Sequence, residues 1–137
     1  MIAAKTFDCT LETVKDVRGW IVDVLSAHKT PMDVIGDVVL ATSEAVTNAV
    51  VHGYEETHKG RVDMSIQLSD SSVTITIRDY GSGLGRKPYT APDTGIPHEG
   101  GYGVYLLHSL MDEVEVRSLD KGTEVRMKKL IKPNTES

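Results

Sequence analysis

A single cysteine, Cys9, leaves no partner for an internal disulfide, and a reducing, cytoplasmic setting is expected. No apolar run approaches the roughly 18 residues that a membrane-spanning helix needs, so no membrane association is expected. The opening residues 1–7 alternate like a strand and lack the charged-then-apolar layout of a signal peptide. Positive charge is not in excess: the formal net charge is −5, which argues against nucleic acid as the main partner and would suit a basic protein partner. No internal repeat and no domain boundary are visible. What remains is 137 residues, 39% hydrophobic and 26% charged, the composition of a globular protein that fits one domain over 1–137.

Periodicity orders the elements. Residues 2–7 read as a first strand. Thr10 can cap a helix to about His28, with Val14, Val17, Ile21, Val24 and Leu25 at helical spacing. Thr30-Pro31-Met32-Asp33 predicts a second helix start, with Thr30 as N-cap and Pro31 at the first position. This helix is expected to run to about His52, stopped by Gly53, and its wide apolar face makes it the central helix, packed on a sheet. Residues 61–68 and 73–77 alternate at period two around the turn 69–72 and predict a hairpin. Residues 80–100 carry glycines and prolines without periodicity and read as a lid. Helical spacing returns over 102–111, and strands over 114–119 and 123–130 are joined by Asp120-Lys121-Gly122. This order predicts an α+β fold: a two-layer α/β sandwich with a mixed, mostly antiparallel sheet packed against helices.

Four short motifs punctuate that framework. Glu44 and Asn48 lie one helical turn apart on one face. The Asn48 amide oxygen suits Mg²⁺, and the Glu44 carboxylate can accept a proton from an attacking hydroxyl. By themselves the two also fit a solvated polar stripe. Asp79 ends an apolar strand where the chain turns to glycine, and its carboxylate can accept a hydrogen bond from an exocyclic amine such as that of adenine. Gly81, Gly83 and Gly85 free the backbone to approach a flat ring. Alone, the segment also fits a strand cap and a flexible turn. Gly100-Gly101-Tyr102-Gly103 stands before a helix, whose free N–H groups favour phosphate, although a hinge has the same composition. Thr123 follows Gly122 at a strand start and can hydrogen-bond a water or a nucleobase, or serve only the turn. Neither the Gly-Lys-Ser/Thr phosphate loop nor the dinucleotide fingerprint is present. In this order the motifs describe a nucleotide site.

Taken together, the motifs resemble the GHKL ATPase superfamily of histidine kinases, gyrase B, Hsp90 and MutL. Glu44 and Asn48 match its N-box, Asp79, Gly81 and Gly83 its G1 box, Gly101 and Gly103 its G2 box, and Gly122 with Thr123 its terminal Gly-Thr. Within it, the stretches Thr42-Ser43-Glu44-Ala45-Val46-Thr47-Asn48-Ala49-Val50-Val51-His52-Gly53-Tyr54 and Glu99-Gly100-Gly101-Tyr102-Gly103-Val104 resemble the bacterial anti-sigma factor serine/threonine kinases. The resemblance implies a Bergerat-type fold holding ATP and Mg²⁺ between the central helix and the lid. It implies Asn48 on the metal, Asp79 on the adenine amine, and Gly81, Gly83, Gly85, Gly101, Tyr102 and Gly103 around the nucleotide. It implies Glu44 as base toward a serine or threonine of a STAS-domain antagonist protein, a sigma factor as second partner, and a homodimer. One departure concerns the stretch before the second glycine motif, where many such kinases carry an arginine. Here it reads Pro97-His98-Glu99-Gly100, with Arg86 and Lys87 the nearest cations earlier in the lid. The departure keeps open a nucleotide-binding module that transfers no phosphate, and a stressosome-type switch kinase is a further alternative.

Overall fold

Strands of period-two composition and helices with apolar stripes leave two surfaces to bury, and they bury each other. The computed structural model describes residues 1–8, 10, 12–48, 60–80, 107–119 and 122–131, with Asn48 and Ser118 described in backbone only. The strands are β1 (Ile2–Asp8), β2 (Arg61–Leu68), β3 (Ser72–Asp79), β4 (Glu113–Ser118) and β5 (Thr123–Leu130). They form one sheet in the order β1-β2-β3-β5-β4, antiparallel at every described pairing. The helices α1 (Thr13–Ala27) and α2 (Met32–Asn48) pack on each other, α1 on β1 and α2 on the central strands β3 and β5. The predicted two-layer architecture is the observed one.

The core lies between the layers. Val62, Met64 and Ile66 of β2, Val73, Ile75 and Ile77 of β3, and Val125 and Met127 of β5 alternate onto the helix side. Val17, Ile21 and Leu25 of α1 and Ile35, Val38, Ala41 and Ala45 of α2 meet them at helical spacing. Fully burying an Ile or Leu of this set is worth about 1.5–3 kcal/mol, so the sheet–helix contact dominates the fold. Phe7 and Trp20 close the β1–α1 edge with rings 5.6 Å apart at 67°, an edge-to-face pair. The hairpin turn is closed by Ser69, whose N–H donates to the Ser72 carbonyl (3.0 Å) and whose Oγ accepts from the N–H groups of Ser71 and Ser72 (3.3 and 3.2 Å).

Two helix starts differ from the expectation. α1 begins at Thr13, not beside Thr10: the Thr13 hydroxyl donates to the Asp8 carbonyl and accepts from the Thr10 N–H (3.1 Å), so both threonines are used in the exit from β1. Thr30 does not cap α2. Its N–H donates to the Leu25 carbonyl (3.0 Å) while the Lys29 N–H donates to Ser26 (3.0 Å), with Lys29 at φ 60°. That is a Schellman closure of α1. With Thr30 committed to ending one helix, its hydroxyl is buried without a partner rather than starting the next. The expected run of α2 to His52, the lid and the start of the helix over 102–111 lie outside the described residues; helical structure is described at 107–110.

Candidate functional site

Asp79 is the last residue of β3 and shares the helix-facing side with Val73, Ile75 and Ile77, at 5% exposure. A buried carboxylate at the end of an apolar row is costly unless something polar meets it, and Asp79 does have a polar interaction here. Its strand neighbours are fixed by register. On one side Asp79 stands opposite Val62, and on the other Arg78 pairs with Glu124, so Thr123 comes alongside at the next step. Thr123 has the same parity as Val125 and Met127, is half-buried, and therefore faces the helices from the same sheet end as Asp79.

Gly122, immediately before Thr123, fills a role that the hairpin-turn reading alone does not contain. It sits at φ +91°, and a Cβ there would lie 2.7 Å from the Asp79 carbonyl carbon, 2.9 Å from Tyr80 Cα and closer still to the Asp79 oxygen. Only a glycine lets the β4–β5 turn press on the end of β3 in this way. The Asp-Lys-Gly turn signal is visible in the sequence. The approach to Asp79 is not, because β3 and β5 are neighbours in space and distant in the chain.

α2 runs toward that end of the sheet. The residues just before it, Thr30 and Pro31, share a cleft of about 400 Å³ with Leu68, Ser69 and Asp70 at the β2–β3 turn. One step along, Asp37 is tied to β5 by Lys129, whose Nζ lies 3.0 Å from Asp37 Oδ2 and donates to the Leu110 carbonyl at 2.9 Å. Lys129 thus joins α2, β5 and the end of the helical turn 107–110. Glu44 follows Asp37 by seven residues, nearly two full turns, so it lies on the same stripe about 10 Å further along the axis. Glu44 is half-buried. Asn48 occupies the last described turn of α2, in backbone only. The structure therefore brings Asp79 and Thr123 together and directs the Glu44–Asn48 turn toward their end of the sheet. The positions predicted for Gly81, Gly83, Gly85, Gly101, Tyr102 and Gly103 lie outside the described residues.

A second polar group behind Asp79, on the open face of the sheet, escaped the sequence reading. The Tyr80 hydroxyl donates to Asp63 Oδ2 at 2.5 Å, and the Thr6 hydroxyl donates to Asp63 Oδ1 at 2.8 Å. The guanidinium carbons of Arg61 and Arg78 lie 4.5 and 4.8 Å from the Tyr80 ring centre. Partial burial pushes the Asp63 carboxyl up, but the hydrogen bonds from Tyr80 and Thr6 and the charges of Arg61 and Arg78 outweigh it, leaving the group below its ordinary value. Period-two alternation places Asp63 and Tyr80 on the outer face, yet a polar residue there reads as solvated until the register pairs it.

Among the described residues no cluster of three or more carboxylate, imidazole or thiol side chains is placed to cage a metal ion. A Mg²⁺ at this site would take most of its ligands from phosphate oxygens and water, its usual habit in nucleotide enzymes. The residues fit that chemistry: a buried acceptor for a base, a hydroxyl beside it, and an acid one helical turn before an amide.

Comparison with known proteins decides the family. The sequence profile of the histidine kinase-like ATPase domain matches residues 7–129. The chain belongs to that family. Relatives of this ATPase-domain chain include an anti-sigma F factor of Clostridium botulinum, 41% identical over 106 residues that cover 72% of each chain. The anti-sigma F factor of Bacillus subtilis is 38% identical over 106 residues, 72% of this chain and 70% of that one. Among solved structures, the RsbU and RsbW domains of a Mycobacterium tuberculosis protein superpose with a TM-score of 0.74 at 24% identity. That match covers 97% of this chain, which spans only 33% of the other. A histidine kinase domain from Erythrobacter litoralis matches with a TM-score of 0.56 at 17% identity, over 88% of this chain and 61% of that one. These two likenesses carry the fold, an antiparallel sheet packed against helices. No helix among the described residues is long and apolar enough to cross a membrane.

Proposed function

We propose that this chain is a cytoplasmic anti-sigma factor and protein-serine/threonine kinase, acting as one domain over 1–137 with a lid at about 80–100. It would bind ATP with Mg²⁺, phosphorylate a serine or threonine of a STAS-domain antagonist, and hold a sigma factor when that antagonist is phosphorylated. The observation that carries the reading is the Asp79 carboxyl, buried at the end of an apolar row and flanked by Thr123. A carboxylate held at this strand end, with the Thr123 hydroxyl beside it, suits an exocyclic amine as hydrogen-bond donor. The anti-sigma F factor relatives, at 36–41% identity, support the partner class.

Each residue has a distinct task in this reading. Asp79 accepts a hydrogen bond from the adenine amine, and Thr123 bonds the base or its water. Gly81, Gly83, Gly85, Gly101, Tyr102 and Gly103 surround the nucleotide, the G2 glycines leaving helix N-terminal N–H groups for phosphate. Asn48 offers its amide oxygen to Mg²⁺. Glu44 orients the acceptor hydroxyl and takes its proton. Bound ATP–Mg²⁺ supplies the phosphoryl group and neutralises its charge, so the protein contributes mainly positioning. A homodimer would present two such sites.

Labelled ATP, Mg²⁺ and a panel of STAS-domain proteins test the proposal. Label on a serine or threonine of one antagonist, lost with Glu44→Gln while ATP binding persists, is the expected result. Asn48→Ala should abolish Mg²⁺-dependent binding. Absence of ATP binding by the unaltered chain would refute the nucleotide reading. Binding without transfer would favour the second reading, a nucleotide-gated regulator-binding module, for which Pro97-His98-Glu99 in place of an arginine before the G2 glycines is the supporting observation.

A further inference from the structure

Asp79 is the last residue of its strand, and a strand end frays unless something holds it. Asp79 and Tyr80 point to opposite faces of the sheet, so the orientation of one fixes the other. Tyr80 is held on the open face by three residues from two strands, Arg61 and Asp63 of β2 and Arg78 of β3. The hydrogen bond from its hydroxyl to Asp63 Oδ2, at 2.5 Å, is short and charge-assisted. Asp63 is itself fixed by the Thr6 hydroxyl at 2.8 Å and by the Arg61 Nε at 3.6 Å. On the remaining side, Gly122 presses against the Asp79 carbonyl and Tyr80 Cα. The Asp79–Tyr80 peptide is thus clamped by the Val62 register, by a glycine backbone and by a side-chain lock on the far face.

We propose that Tyr80 and Asp63 form a positioning pair that acts through the sheet, from its open face, to aim the Asp79 carboxyl at the nucleobase. The inference rests on the nucleotide reading above and adds to it a determinant of base selectivity that does not touch the ligand. Without the lock, the residue after Asp79 can rotate about the strand end, and the carboxyl loses its fixed direction toward an amine. A site built to hydrogen-bond one group discriminates only as well as its acceptor is held.

The test compares ATP with purine riboside 5′-triphosphate, which lacks the exocyclic amine, in direct binding measurements. The unaltered protein should prefer ATP. Tyr80→Phe keeps the ring beside the two guanidiniums and removes only the hydroxyl. It should weaken ATP by about five- to tenfold and leave the analogue nearly unchanged, narrowing the preference. Asp63→Asn keeps the side-chain size and should narrow it in the same direction. Placed on Asp79→Asn, Tyr80→Phe should cost no further ATP affinity, because the group it positions is already altered. A purely structural role for the pair would weaken both nucleotides alike, and an unchanged ATP-to-analogue ratio in Tyr80→Phe and Asp63→Asn would overturn the proposal while leaving ATP binding intact. Failure of the unaltered protein to bind ATP would refute the nucleotide reading and this inference with it.

Discussion

Replacing Gly122 by alanine tests the tightest contact at the candidate site. The residue sits at φ +91°, in the left-handed region, where a side chain with a Cβ costs about 1–2 kcal/mol. The new methyl would lie 2.7 Å from the Asp79 carbonyl carbon and 2.9 Å from Tyr80 Cα, both backbone atoms that no rotamer change can move aside. Overpacking of that kind costs about 1–3 kcal/mol even when neighbours adjust, so the two effects together come to about 3 kcal/mol. Unfolding entropy scales at about 2.1 cal/mol/K per residue. For 137 residues that is about 0.3 kcal/mol/K, and the melting temperature should fall by about 10 °C. Circular dichroism melts would measure it. Gly36→Ala is the control: it lies within α2, a Cβ there meets nothing within 4 Å, and it should gain about 1 kcal/mol from helix propensity. The reasoning fails if Gly122→Ala melts within about 3 °C of the unaltered protein, since the ends of β3 and β5 would then separate at almost no cost.

Three further substitutions probe separate physical effects. Thr42 is fully buried with its hydroxyl unpartnered, so Thr42→Val, nearly isosteric, should raise stability by about 1 kcal/mol, read as a higher urea midpoint. Lys29 closes α1 at φ 60° without being glycine, and Lys29→Gly should gain about 1 kcal/mol by relieving that strain; a loss would show that the lysine side chain contributes more than its backbone costs. The Asp63 carboxyl titrates below its ordinary 3.8 in the folded protein, so the stability it adds is complete above that value and is lost as pH falls through the lower, folded one. Urea midpoints of Asp63→Asn should therefore lie below those of the unaltered protein at neutral pH and converge with them below pH 3.8; a constant difference across that range would contradict the assignment.

Much of the architecture was legible because it rests on local periodicity. The alternation of Val62, Met64, Ile66 and of Val73, Ile75, Ile77 defines both strands and the face they bury. The 3.6-residue spacing of Val17, Ile21 and Leu25 defines α1 in the same way. Helix starts were less legible because Thr10 and Thr30 each offer one hydroxyl to several competing uses, and the chain chose the exit from β1 for Thr10 and burial for Thr30. Of the candidate site, the sequence singled out Glu44, Asn48, Asp79 and Thr123 as candidates through residue type and position along the elements, and the order of the motifs pointed to the family that the comparison established.

What the chain alone determined, then, is which residues face inward and which chemical groups stand at the ends of strands and helices, since both follow from spacing along the backbone. Only the tertiary structure decided who meets whom across the sheet. It set Gly122 against Asp79, Lys129 between Asp37 and the Leu110 carbonyl, and Tyr80 on Asp63 behind the candidate site. The approach of Gly122 to Asp79 depends on β3 lying beside β5, a non-local strand pairing that no local pattern of residues specifies.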